Sequence, residues 1–299
     1  MLFSLPIYLS NDLETQNNLP NYEISALYDL YNATVGDNWQ WTAGLGSPWI
    51  FSSDCNPCIE NWQGVDCTTN SSGLHISSLT LDSMNLYGSL PNTIGSLRYM
   101  VYFYCDSNMF TGSIPSSYAR LTGLVSFSFY YNELTGQLPD IFSNMVLLTQ
   151  FLVYDNYLTG TLPDSLGALP ALNDILIHKN FFNGSIPSSW GKLTTLSAFY
   201  CYENFLTGVF PEGLGNNTQL IYLICQNNQL SGTIPQSFGQ LTDLIYFELN
   251  NNYLSGTLPP SLGNMSMLNL FYIDHNYFTG ILPSTYNSWK EIVIIDMSF

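Results

Sequence analysis

Positive charge is scarce in this chain. Its 299 residues hold five cations, Arg98, Arg120, Lys179, Lys192 and Lys290, against 22 acids, for a formal net charge of -17. The five are scattered and form no cluster. Binding a phosphate backbone draws on clustered Lys and Arg that displace counterions. Nucleic acid is therefore excluded as a partner, and anionic membrane surfaces and acidic polysaccharides are disfavoured by the same sign of charge. Long apolar runs are missing too: none approaches the roughly 20 residues of a membrane helix. Histidine is confined to His75, His178 and His275, far apart in the chain. There is no GxSxG elbow, no HExxH pair and no GxxxxGKS/T phosphate loop. Enzymes converge titratable groups in a pocket, so these absences predict a non-enzymatic chain with no cofactor and no metal.

What is present is one stretch written nine times and begun a tenth. Leu241–Pro259 shows it best: LTDLIYFELNNNYLSGTLP, in outline LxxLxxLxLxxNxLxGxLP. The proline recurs at Pro91, Pro115, Pro139, Pro163, Pro187, Pro211, Pro235, Pro259 and Pro283, always 24 residues apart, with a glycine three residues ahead of it. Length alone would allow two globular domains. A fixed 24-residue period instead predicts a leucine-rich repeat solenoid of the α/β type, which grows by stacking coils. Alternation within each LxL stretch predicts one short strand per coil with paired inward residues, from Leu79/Leu81 and Phe103/Cys105 to Ile295/Met297. Cys105, Cys201 and Cys225 fall on these core positions and read as small buried hydrophobes; a bridge between Cys201 and Cys225, which lie on adjacent coils, is the alternative. Asn108, Asn132, Asn156, Asn180, Asn204, Asn228, Asn252 and Asn276 follow the strands. There an amide can satisfy backbone groups that have left the sheet. Met84 takes this position in the first coil. A column from Ile94 and Tyr118 through Trp190 to Tyr286 anchors the convex turns.

The N-terminal segment breaks this pattern. Asn21 is placed to cap a helix over roughly 22–34, with Ile24, Leu27, Tyr28 and Tyr31 on one face and Gly36 as its stop. A Trp-rich loop follows, then Cys55-Asn-Pro-Cys58-Ile-Glu-Asn-Trp62-Gln-Gly64-Val65-Asp-Cys67. A CxxC followed by a third cysteine leaves metal ligation open alongside a disulfide. The run Cys58-x3-Trp62-x-Gly64-Val65-x-Cys67, joined to nine unbroken repeats, resembles plant-type extracellular leucine-rich repeat proteins, among them receptor-like kinase ectodomains and polygalacturonase-inhibiting proteins. The preceding ALYDLYNATVGDNW is similar to the cap helix of microbial and protist members. The resemblance covers roughly residues 22–299. It implies an N-terminal helical cap closed by a Cys58–Cys67 disulfide, a second short strand at LxGxIP, and a non-enzymatic recognition role at the cell surface or in secretion. Family members often have a second cap disulfide, and Cys55 has no upstream partner here. The expected division is 1–20 leader or tail, 21–75 cap and 76–299 repeats, with Met1–Ser10 either a signal-peptide stub or a plain tail. Asn32, Asn70, Asn183, Asn216 and Asn264 head glycosylation sequons, which fit an extracellular chain. No C-terminal cap is visible before Phe299, so a downstream domain or partner is expected over that end.

Positions that packing does not dictate carry the ligand information. Ten of the 21 tyrosines fall beside the strands: Tyr102, Tyr104, Tyr130, Tyr131, Tyr154, Tyr200, Tyr202, Tyr222, Tyr246 and Tyr272. His178 and the acids Asp82, Asp106, Asp155, Glu203, Glu248 and Asp274 share that face. Tyrosine also suits exposed strands through propensity. Its combination with acids predicts a binding trough for a peptide, a protein or a neutral glycan. The alternatives are a structural wall or adhesion solenoid and, on the convex side, ice binding. The last would use Thr111, Thr135, Thr159 and Thr207 with Ser113, Thr161, Thr233 and Thr257, a pattern interrupted by Gln137, Val209 and Ile281.

Overall fold

A computed structural model describes residues 18–297. Met1–Ser10, expected as a signal-peptide stub or a plain tail, lies outside these residues.

Helix α1 (Asn21–Ala33) opens the described chain. Its buried stripe is Glu23, Ala26, Leu27 and Leu30, one i, i+3, i+4, i+7 face. That differs from the expected face: Tyr28 is exposed, and its ring meets Phe51 edge-on at 5.0 Å. Asn21 is the first helical residue instead of the cap, and no side chain caps the helix. The helix also stops before Gly36, because Val35 takes the left-handed conformation at φ 53. Behind α1, Trp39, Trp49 and Trp62 form an aromatic plug, with Trp39 and Trp49 4.8 Å apart and Trp49 and Trp62 5.6 Å apart. Cys58 and Cys67 are bridged across nine residues, so the cysteine cluster is a disulfide site. Cys55, Cys105, Cys201 and Cys225 are buried free thiols; the Cys201–Cys225 bridge does not form.

The concave sheet has eleven strands. β1 (Val65–Asn70) runs antiparallel to β2 (Gly73–Thr80) and covers the sheet's leading edge. From β2 onward every pairing is parallel and in register by one 24-residue step, as in Ser78↔Tyr102, Phe127↔Phe151 and Phe271↔Ile295. The inward pairs from Leu79/Leu81 to Phe271/Ile273 are buried, whereas Ile295 on the last strand is exposed. A second row of short strands follows the asparagines. It forms separate sheets of two, four and three strands rather than one continuous sheet. Short 3-10 turns such as Ser188–Lys192 close the coils, with Trp190, Tyr118 and their counterparts buried beneath.

The asparagine ladder explains the strict period. Asn156 Nδ2 donates to the carbonyls of Phe129, Val153 and Tyr154 at 2.8, 3.2 and 3.2 Å, and its Oδ1 accepts from Leu134 N–H at 2.9 Å. The pattern repeats at each ladder residue, as at Asn228 and Asn276. Each amide therefore ties its own coil to the one before it. Glycine has a specific task at Gly88, where φ is 144 and an added Cβ would run into the carbonyl of Ala33 at the end of α1.

Candidate functional site

Strand register sorts the outward side chains into three parallel columns on the concave face. Tyr102, Tyr222 and Tyr246 stand in the first. Tyr104, Tyr200, Glu248 and Tyr272 stand in the second. The 24-residue step that relates their strands also relates Asp82, Asp106, Tyr130, Tyr154, His178, Tyr202 and Asp274, which end the coils' strands.

At its centre the third column is a continuous aromatic stack. Tyr130 and Tyr154 have centroids 4.5 Å apart and planes 5° from parallel. Tyr154 and His178 follow at 4.3 Å and 14°, then His178 and Tyr202 at 4.3 Å and 17°. The separation approaches the roughly 4.8 Å strand spacing, so the parallel ladder itself imposes stacking. His178 is only 6% exposed and its Nδ1 has no hydrogen-bond partner. Burial, with help from Lys179, lowers its pKa to about 3, so the imidazole is neutral at physiological pH. Tyr131 meets both Tyr130 and Tyr154 edge-on at 5.5 Å.

Upstream of the stack the same column becomes acidic. Asp106 is buried and accepts from Ser128 Oγ at 2.7 and 2.8 Å and from Tyr130 N–H at 3.0 Å. Burial pushes its pKa up to about 7 against the lowering effect of Ser128, and Asp82 adds to the rise. Asp82 is itself raised by burial and accepts from Asp106 N–H at 2.8 Å. Downstream, Tyr200, Tyr222 and Tyr246 meet edge to face at 6.0 and 5.3 Å. Burial pushes the Tyr200 phenol to about 12 and raises Glu248. Asp274 is buried against His275 Nδ1 at 2.6 Å.

Three expected face residues sit elsewhere. Tyr131, Asp155 and Glu203 immediately precede ladder asparagines and adopt φ of 52 to 54, so they occupy a left-handed turn beside the sheet. Asp155 pairs there with Lys179 at 3.5 Å. A shallow pocket of about 350 Å³ opens at this shoulder, lined by Asn108, Tyr131, Glu133, Asp155 and Tyr157 among others. Conversely, the first column contains residues the sequence reading passed over. Ser126 donates to Gln150 at 3.1 Å, and Gln150 donates to Asp174 at 3.1 Å. Counting back 24 residues at a time from Tyr222 would have found them. The columns lie side by side across the coils, so residues at the two ends of the face are not brought together.

On the shoulder, Tyr157, Phe181 and Phe205 form an exposed row at 6.1 and 5.9 Å. Of the threonines considered for ice, Thr111, Thr135, Thr159 and Thr161 lie on the divided second sheets, whereas Thr207, Thr233 and Thr257 fall just past the strands of their coils. Among the sequon asparagines, Asn32, Asn183, Asn216 and Asn264 are exposed and Asn70 is half-buried.

Residues 219–241 and 243–265 match the family model described as Leucine Rich Repeat. No curated protein matches the chain by sequence. Solved structures do. The ectodomain of the Arabidopsis thaliana receptor kinase GASSHO1/SCHENGEN3, determined in complex with CASPARIAN STRIP INTEGRITY FACTOR 2, is 29% identical with a TM-score of 0.81, over 90% of this chain and 32% of that one. The Arabidopsis receptor kinase HAESA, in complex with the peptide hormone IDA and the co-receptor SERK1, is 27% identical with a TM-score of 0.75, over 93% of this chain and 46% of that one. A plant ice-binding protein is 23% identical with a TM-score of 0.67, over 95% and 98% of the two chains, a likeness of fold alone. This chain spans less than half the length of either receptor structure.

Proposed function

We propose that this chain, a leucine-rich repeat solenoid similar to the ectodomains of plant receptor kinases, is an extracellular recognition module that takes a peptide along its concave sheet. The observation that carries the reading is the Tyr130–Tyr154–His178–Tyr202 stack, flanked by Asp106 upstream and Glu248 downstream. Rings already held by their neighbours lose little rotamer freedom on binding, so contact area comes at low entropic cost. The surrounding acids and the net charge of -17 favour a basic or neutral peptide. Structural relatives solved with peptide ligands support this class. The four exposed sequons support an extracellular setting.

Selection of peptides from a randomised display library on the purified chain tests the reading. The expected result is a family of basic, extended peptides whose affinity falls at least about tenfold in Tyr130→Ala, Tyr154→Ala and Tyr202→Ala, as buried aromatic anchors do. Peptides that bind all three variants as well as the parent would move the site off this face.

A further inference from the structure

The hairpin that starts the concave sheet carries a second constellation. Ser72 Oγ lies 2.9 Å from His75 Nε2, and His75 Nδ1 lies 2.7 Å from Glu23 Oε1. The other Glu23 oxygen accepts from Ile76 N–H at 2.7 Å. Glu23 and His75 are buried, while Ser72 is exposed. The His75 ring stacks on Tyr99 at 3.9 Å, and the Tyr99 hydroxyl lies 2.8 Å from Ser72 Oγ. Asn70 Oδ1 lies 2.5 Å from the serine oxygen and competes with His75 for its one hydroxyl proton. None of this could be read locally, since Glu23 is 52 residues from His75 and Ser72 sits in a hairpin turn rather than on a strand–turn–helix elbow.

Hydroxyl, imidazole and carboxylate thus stand in the order that activates an oxygen nucleophile. With Nδ1–H donated to Glu23, the Nε2 lone pair faces Ser72 and takes up its hydroxyl once that proton turns from Asn70 to His75. The Ile76 amide fixes the carboxylate, and Tyr99 fixes the plane of the ring. We propose that Ser72, His75 and Glu23 form an acyl-transfer site that hydrolyses small activated esters. Ser72 Oγ forms a bond to the ester carbonyl carbon as its proton passes to His75 Nε2. The carbon–oxygen bond to the leaving alcohol then breaks, and that oxygen takes the proton from His75. Water, deprotonated by His75, attacks the acyl-serine; the carboxylic acid leaves and Ser72 recovers its proton. The balance is ester and water to acid and alcohol, with no other reactant. The nucleophile lies at an exposed turn, beside the exposed ring of Tyr99. That setting suits aryl esters with good leaving groups.

The test uses the full chain with 4-nitrophenyl acetate and a fluorophosphonate probe. The expected result is a release burst and probe attachment at Ser72, located by peptide mass spectrometry, with both lost in Ser72→Ala. Loss of the base in His75→Gln should slow acylation about 10²- to 10⁴-fold. Because His75 also helps hold the cap, Ser72→Ala is the deciding variant; the change also removes the Asn70 sequon, so both proteins are made unglycosylated, and with an exposed side chain at 72 the thermal midpoint should match the parent. Parent protein that acylates no faster than Ser72→Ala, or a probe attached equally at other serines, overturns the proposal and leaves the trio as a tie between cap and sheet.

Discussion

Two columns of side chains run the length of the solenoid with the same 24-residue step, and they differ in what holds them. The ladder of Asn108 to Asn276 points inward, and every member shares one set of bonds, to which Asn108 adds one from Met84 N–H. The column two residues earlier points outward and changes from Asp106 to Tyr130, Tyr154, His178, Tyr202 and Gln226. In the first column orphaned backbone groups permit only one residue type. In the second the backbone sets spacing alone, and the residue type is free for recognition. The lesson is that periodicity in a solenoid has two meanings, and burial of polar backbone separates them.

The comparison can be broken most severely at the ladder. Asn156→Ala orphans the buried Leu134 N–H and the carbonyls that Nδ2 served, at about 1–3 kcal/mol per group. A loss of at least about 3 kcal/mol is expected from the urea midpoint. A loss below 1 kcal/mol would show that water replaces the amide. Next is Tyr154→Ala, which removes two stacking partners at once. Each pair contributes about 0.5–1.5 kcal/mol, so stability should fall by about 1–3 kcal/mol while peptide affinity falls further. An equal loss in both would make the stack structural only.

Titration comes third, with opposite signs at two members of one column. Asp106 has a folded pKa of about 7, above its ordinary 3.8, so the native state holds the extra proton. Its contribution is therefore present at low pH and lost as pH rises from about 4 to 7. His178 has a folded pKa of about 3, below its ordinary 6.5, so the unfolded state binds more protons. Its contribution is present above about 6.5 and lost as pH falls toward 3. Asp106→Asn should flatten the first slope and His178→Gln the second, each read as urea midpoint against pH. Unchanged slopes would contradict the burial that causes both shifts. The smallest expected effect is a gain. Gln226→Tyr replaces an amide whose buried Oε1 has no partner with a ring one step beyond Tyr202. It should add about 0.5–1.5 kcal/mol if stacking follows register alone.

Most of the coil was legible because its causes are local and repeated. Leu, Asn, Gly and Pro at fixed offsets specify strand, ladder and turn, and the Cys58–Cys67 bridge follows the cap motif that resembles known family members. The positions of the third column could be counted off the 24-residue step, but their arrangement could not. Nothing in a tyrosine at 130 says that its ring will lie flat on Tyr154, or that His178 will be enclosed between two others. The left-handed turn at Tyr131, Asp155 and Glu203 was missed because such a conformation is usually inferred from glycine or asparagine. The α1 face was misjudged for another reason. Glu23 reads as a solvent residue until a histidine 52 positions away supplies its partner.

The ladder's bonds reach no further than the neighbouring coil, across 22 to 27 residues of chain. Inserting or deleting one 24-residue unit would therefore leave each interior bond with an equivalent partner. Unequal recombination within the gene could change the length of the molecule without refolding it. Each unit so copied from the region of Tyr154 would lengthen the aromatic column by about 4.8 Å. The size of ligand this surface can match is thus heritable in steps of one coil.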